Sequence, residues 1–142
     1  MGTSSGSPGV HESARISDSS ISRYRILQYD TSNTTNYDRV MKAATASSQA
    51  PAGITNSATT AANQIAGVRQ SGIAKLEVNG NSDNISPGDY IVATAAGVGV
   101  KAAAVSATAQ YPVGIAQAPS TADGDIIEVL LTLGVSIGKY TS

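Results

Sequence analysis

Cysteine, tryptophan and phenylalanine are absent from the 142 residues, histidine occurs once, and charged residues make up only 13%. Each shortage removes a class of explanation. Without cysteine no disulfide can staple a small fold, and a lone His11 supplies little toward a zinc site. A nucleic-acid binder usually shows a basic stripe and a domain pI above about 9; here the net charge is -1 and the pI ≈ 5.6, so no nucleic-acid partner is expected. No apolar run approaches the ~18 residues of a membrane-span candidate, and the first 20 residues lack the apolar stretch of a signal peptide. The expectation is no membrane partner, and a chain made in the cytoplasm and kept there or in a particle assembled there.

What is present is 41% hydrophobic residues, much of it alanine. The core must then come from Ile, Val, Leu and the six Tyr, and it is thin. Small domains short of large apolar side chains need disulfides, metals or oligomerisation to offset the entropy of ordering. With the first closed and the second poorly supplied, oligomerisation is expected. Charge is also uneven. Residues 1–70 carry Arg15, Arg23, Arg25, Arg39, Lys42 and Arg69 against Glu12, Asp18, Asp30 and Asp38, whereas acidic residues outnumber basic ones from 71 onward.

Residues 1–20 are mostly Ser, Gly, Thr, Pro and charge, which reads as a flexible N-terminal arm. From Ile21 to the end, residues 21–142, short β-prone runs alternate with turn signals. Arg23 to Tyr29 is a strand candidate closed by a turn-rich Asp30 to Asn36. Ile73 to Val78 alternates, placing Leu76 and Val78 on an apolar face and Lys75 and Glu77 on a wet one. Asn79-Gly80 and Ser86-Pro87-Gly88-Asp89 are turns, the second delivering a strand at Tyr90 to Ala93. Ile126 to Leu133 is apolar on both faces and reads as a central strand. Ala43 to Gln49 and Thr60 to Ile65 could each form a turn or two of helix.

An internal repeat organises these pieces. Residues 51–68 match residues 112–129 without a gap, with seven identities in eighteen pairs, including Pro51/Pro112, Gly53/Gly114, Ile54/Ile115, Ile65/Ile126 and Val68/Val129. Met41-Lys-Ala-Ala44 resembles Val100-Lys-Ala-Ala103, and Ile21-Ser22 resembles Ile85-Ser86. The chain reads as all-β, a small β-barrel or β-sandwich built from two divergent repeats at about 21–78 and 85–133.

Reactive constellations are scarce. His11 falls in the expected arm, so a Ser/His/Asp site has no oriented base. Asp123 and Asp125 could aim two carboxylates to one side, but they flank a glycine and read as turn chemistry. Asp83, Asn84 and Asp89, with Asn79 and Asn81, are oxygen donors of the kind calcium takes, without the regular spacing of an EF-hand loop. The glycines of Gly97-Val-Gly99 lack the Lys-Ser/Thr that follows a phosphate loop. Arg23-Tyr24-Arg25 interleaves cation and ring, as single-strand binders do, but one triplet is a weak signal. No catalytic residue, metal or cofactor is expected.

Ser86-Pro-Gly-Asp-Tyr-Ile91, Lys101-Ala-Ala-Ala104, Tyr111-Pro-Val-Gly-Ile-Ala-Gln117 and Ala122-Asp-Gly-Asp-Ile-Ile-Glu-Val-Leu-Leu131 resemble the small decoration, or cement, proteins of phage heads that bind outside an HK97-type shell. That resemblance covers roughly Ile73 to Leu133, with the first repeat as a divergent echo. It implies a structural virion protein on the outer capsid surface, a homotrimer whose partner is the major capsid protein, bridging its subunits and stabilising the shell, with no enzymatic activity. The arm then supplies the capsid contacts, with Arg15, Ile16, Ile21, Arg23 and Tyr24 as candidates. The rival reading is a receptor- or glycan-binding module of a tail spike or fibre, for which six scattered Tyr are few sugar-stacking rings.

Overall fold

Turn residues cut the chain into strands of three to nine residues, too short to bury much alone, and the chain rolls them into two closed barrels. A computed structural model describes residues 11–32, 39–104 and 106–137. Barrel 1 contains β1 (His11–Ile16), β2 (Ile26–Tyr29), β3 (Val40–Ala43), β4 (Gly53–Thr55) and β5 (Gln64–Arg69) in the order β1-β3-β2-β4-β5. Barrel 2 contains β6 (Ile73–Asn79), β7 (Tyr90–Ala93), β8 (Gly99–Lys101), β9 (Gly114–Ala116) and β10 (Asp123–Leu131) in the order β6-β8-β7-β9-β10. Every pairing in one barrel has its counterpart in the other. The first and third strands run parallel, β1 with β3 and β6 with β8, and the remaining neighbours antiparallel. Closure leaves no sheet edge open within either barrel, the arrangement that removes the usual edge-strand hazard.

The duplication extends to single hydrogen bonds. Ile21 and Thr59 form an isolated bridge in barrel 1, as Ile85 and Ser120 do in barrel 2. The Ala52 N–H donates to the Leu27 carbonyl as Val113 donates to Ile91, and Asn56 donates to Gly67 as Gln117 donates to Glu128. These bonds equate Leu27 with Ile91, Arg15 with Glu77 and Ile54 with Ile115. They also correct the Lys-Ala-Ala match. Ile16 pairs with Met41 and Val78 with Gly99, so Met41 corresponds to Gly99 and the sequence match runs one residue out of register.

Two boundaries move. β1 occupies residues assigned to the arm, and it belongs to barrel 1 because it pairs with β5 along its whole length and buries Ala14 and Ile16. β6 belongs to the second repeat rather than to the first, since it pairs with β8 and β10. The repeats are therefore residues 11–69 and 73–131 in strand terms; residues 1–10 lie outside the described residues. Arg23 to Arg25 form a turn, and the strand begins at Ile26. The helical turns considered at Ala43 to Gln49 and Thr60 to Ile65 are turns and the start of β5.

Alternation within strands builds the core. In β6, Ala74, Leu76 and Val78 point in, and in β10 Ile127, Val129 and Leu131 do. β10 is not covered on both faces: Ile126 and Leu130 are exposed. Tyrosine contributes nothing to the fully buried set among the described residues; Tyr29 and Tyr90 are exposed. One apolar cluster fills barrel 1 around Ile16, Leu27, Met41 and Val68. The other fills barrel 2 and reaches across the seam to Ile26, Ala44 and Ile54 of barrel 1. Those three are the bond between the barrels, since Ile26 and Ile54 lie on the outside of their own barrel yet are 0% and 1% exposed.

Candidate interaction surface

The turn entering β2 sits at the seam and differs between the repeats. In barrel 2, Ser86-Pro87-Gly88-Asp89 closes with the Asp89 N–H on the Ser86 carbonyl at 3.1 Å, and Gly88 takes φ 95°. Proline followed by a left-handed glycine is the chemistry of a type II turn. The Asp89 carboxylate adds a bond from the Ser86 N–H at 2.8 Å. In barrel 1 the same path is Ser22-Arg23-Tyr24-Arg25, where Tyr24 adopts φ 64°. Its N–H reaches Thr55 at 2.7 Å as that of Gly88 reaches Ala116 at 2.8 Å. An L residue there costs on the order of 1–2 kcal/mol, so the surroundings must hold it.

They do so from barrel 2. The Glu77 N–H donates to the Tyr24 carbonyl at 2.9 Å. Arg25 donates to both Glu77 carboxylate oxygens at 3.2 Å and to the Ala96 carbonyl at 3.1 Å, in the short 3-10 turn Ala95–Gly97. Gly97 lies so close to Ile26 that a Cβ would stand 2.6 Å from the Ile26 carbonyl. The Arg23 guanidinium rests 5.2 Å from the centroid of the Tyr24 ring, within cation–π range. Arg-Tyr-Arg is thus a clamp between barrels on its inner side, with Arg23 exposed on its outer side.

The candidate contact residues separate accordingly. Ile16 and Ile21 are 0% and 7% exposed in the barrel 1 core, which corrects their assignment to a capsid-facing arm: a strand and a bridge bury them. Arg15 points outward from β1 and donates to the Asn63 carbonyl at 2.7 Å. Arg23 is exposed and Tyr24 half-buried.

The paired carboxylates come apart in role. Gly124, at φ 89°, is the extra residue of a bulge between Asp123 and Asp125, and Asp125 accepts the Ser120 hydroxyl at 2.8 Å. Asp89 caps its turn and lies 3.7 Å from the Lys101 ammonium, while Asn79 accepts the Asn81 N–H at 2.9 Å. Among the described residues no group of three His, Asp or Glu converges as metal ligands would. A groove at the seam is lined by Asp18, Ser22, Arg25, Gln28, Lys42 and Ala96, with charges of both signs. Lys42 of its lining pairs with Asp30. Hydrogen bonds from the Ser17 and Ser32 hydroxyls, with the Lys42 ammonium at 3.5 Å, hold its carboxyl at about 2, below the ordinary 3.8.

Two features escape the sequence reading. Gln49 and Gln110, each two residues before a proline, clamp matching loops: the Gln49 amide oxygen accepts the Thr45 N–H at 2.7 Å, and that of Gln110 accepts the Ala103 N–H at 2.9 Å. The shared Gln-x-Pro spacing was the available signal. The second is the outer face of barrel 2, where β10 shows Ile126 and Leu130 to solvent beside Ile73 of β6.

The fold defines a class, a tandem of two like β-barrels welded through a shared apolar seam. No protein-family model matches the sequence, and no curated protein matches it. Among solved structures, the N base of head fibre gp8.5 from bacteriophage phi29 is similar in fold, with TM-score 0.61 and 17% identity. The match covers 87% of this chain and 93% of that one. The neighbour is a phage head protein, of the head-fibre kind rather than an HK97-type decoration protein.

Proposed function

We propose that this chain is a structural protein of a phage virion, fixed to the outside of the head as a homotrimer and bridging subunits of the major capsid protein. The observation that carries the reading is the fold shared with a phi29 head-fibre base over nearly the whole of both chains. The surface is consistent with attachment rather than catalysis: its grooves are lined by turn residues and paired charges, and its carboxylates are used in caps and bulges. Arg23 and Tyr24 are the proposed shell contacts: Arg23 is exposed and rests on the half-buried Tyr24 ring, whose backbone is fixed at φ 64°.

The test is sedimentation of purified protein with heads of the phage that encodes it. Saturable pelleting with the heads, and heads that withstand a higher temperature when coated, are expected; Arg23→Glu should weaken the pelleting. Absence of pelleting, together with saturable binding on a glycan array, would replace this reading with the receptor-binding one.

A further inference from the structure

The two barrels present the same outward row of side chains, and only one of the two rows is covered. In barrel 1 the row crosses β2, β4 and β5 through the register partners Ile26, Ile54 and Arg69. Barrel 2 covers its apolar part completely, leaving Ile26 and Ile54 at 0% and 1% exposure. In barrel 2 the corresponding row is Tyr90, Ile115 and Leu130, extended by Ile73 of β6. Tyr90, Leu130 and Ile73 are 41%, 40% and 46% exposed. The uncovered row is the more apolar of the two, having Leu130 where the covered row has Arg69. Four adjacent strands at ~4.8 Å spacing make it a continuous strip, not a scatter of single apolar residues.

We propose that this strip is the docking site for barrel 1 of a second copy of the chain, so that copies join head to tail. The seam inside one chain shows what would cover it. There the outer face of barrel 2 around β6 packs against the row of barrel 1, locked by Arg25 on Glu77. The element of barrel 1 that corresponds to β6 is β1, so the outer face of a neighbour around β1 would lie over Tyr90, Ile115 and Leu130. Charge follows the same rule with its sign reversed. The residue equivalent to Arg25 is Asp89, and the residue equivalent to Glu77 is Arg15; both equivalences come from the strand and turn hydrogen bonds. Seating the neighbour as barrel 2 seats on barrel 1 therefore brings Arg15 of one copy to Asp89 of the next, opposite charges at the position of the internal ion pair. Were the equivalent charges of like sign, the same docking would repel. Asp89 keeps Lys101 and the Ser86 N–H as partners, and its remaining lone pairs can accept a further guanidinium. A contact that joins unlike faces repeats from copy to copy and closes into a ring where the rotation permits.

Light scattering of the full-length protein over a dilution series tests this without any capsid, so its failure would leave shell attachment to be decided by the sedimentation experiment. The parent is expected at a multiple of 14.3 kDa, and Leu130→Glu at the mass of the single chain with an unchanged circular-dichroism spectrum, because Leu130 points out of its barrel. Arg15→Asp and Asp89→Arg should each weaken association by at least about tenfold, and the double reversal should restore it. Asp89 also caps its turn, so Leu130→Glu decides independently of the charge series. A parent that is a single chain at every concentration, a Leu130→Glu protein that keeps the parent's mass, or a double reversal that fails to rescue would overturn the proposal.

Discussion

Barrel 1 and barrel 2 follow one path strand for strand, but their turns are made from different chemistry. Where barrel 2 has Gly88, Gly97 and Gly124 at positive φ, barrel 1 has Tyr24, Arg39 and Asn63, also at positive φ. The backbone of the repeat has been kept while the residues that most easily adopt it have not. Barrel 1 can hold such turns because others hold them in place: Tyr24 is pinned from barrel 2, and Arg39 donates to the Gln70 side chain at 2.9 Å. Barrel 2 has glycine at these three positions, and at Ala96, its own non-glycine residue at positive φ, the carbonyl is held by Arg25 of barrel 1. The difference teaches that barrel 1 is the more dependent partner, its outer row and its entry turn both completed by the other barrel.

The sharpest way to break that comparison is to truncate the same position on each row. Ile54→Ala opens a cavity in the seam and should destabilise the chain by about 2–5 kcal/mol. Ile115→Ala, at the equivalent partly buried site, should cost less, about 1–2 kcal/mol in the single chain, since part of its surface is already hydrated. Urea unfolding of both variants, made in the Leu130→Glu background to exclude association, measures the pair. Similar losses would mean that the two rows are equally buried in solution.

How much of this lay in the sequence depends on where the repeat kept its loop lengths. The match between residues 51–68 and 112–129 holds because β4 and β5 are joined as β9 and β10 are, with one residue spacing throughout. Earlier strands shift against each other, so Lys42 and Lys101 aligned by composition although the ladder places Ala43 opposite Lys101 in role. β1 was hidden because its core-facing Ala14 and Ile16 stand in a run, His-Glu-Ser-Ala-Arg-Ile, that reads as a polar tail. β10 was over-read for the opposite reason. Its unbroken Ile-Ile-Glu-Val-Leu-Leu run suggested burial on both faces, whereas its outward residues stand exposed. Periodicity reports what a strand could bury, and it is silent on whether a partner has arrived. The seam itself was illegible, because Ile26 and Ile54 carry the alternation of surface positions and are buried only by a second barrel.

A smaller effect sharpens the contrast between the entry turns, and its sign differs between them. Gly88→Tyr forces an L side chain into φ 95° where nothing lies within 4 Å of a Cβ, so the cost is backbone strain alone, on the order of 1–2 kcal/mol. Tyr24→Gly relieves the same strain at φ 64° and should raise stability by up to about 1 kcal/mol, reduced by loss of the Arg23 contact. Equilibrium unfolding reads both. A destabilising Tyr24→Gly would show that the ring's packing outweighs the strain.

Acid should separate the barrels last and least. Asp30 donates its N–H to the Val40 carbonyl as Thr94 does to Val98, so the two residues are equivalent, and only barrel 1 carries an ionisable group there. The Ser17 and Ser32 hydroxyls, with Lys42, favour the carboxylate and hold the folded value at about 2 against 3.8. Folding therefore lowers this pKa. The stability that it contributes is complete above pH 3.8 and drains away as pH falls from there through about 2. Asp30→Asn cannot titrate, so the stability difference between parent and variant should be constant at neutral pH and shrink across that window. Amide exchange followed residue by residue at pH 3 should show β2 and β3, which Asp30 and Lys42 tie together, losing protection before β7 and β8. Equal loss in the two barrels would place the acid-sensitive group elsewhere and remove Asp30 from the account.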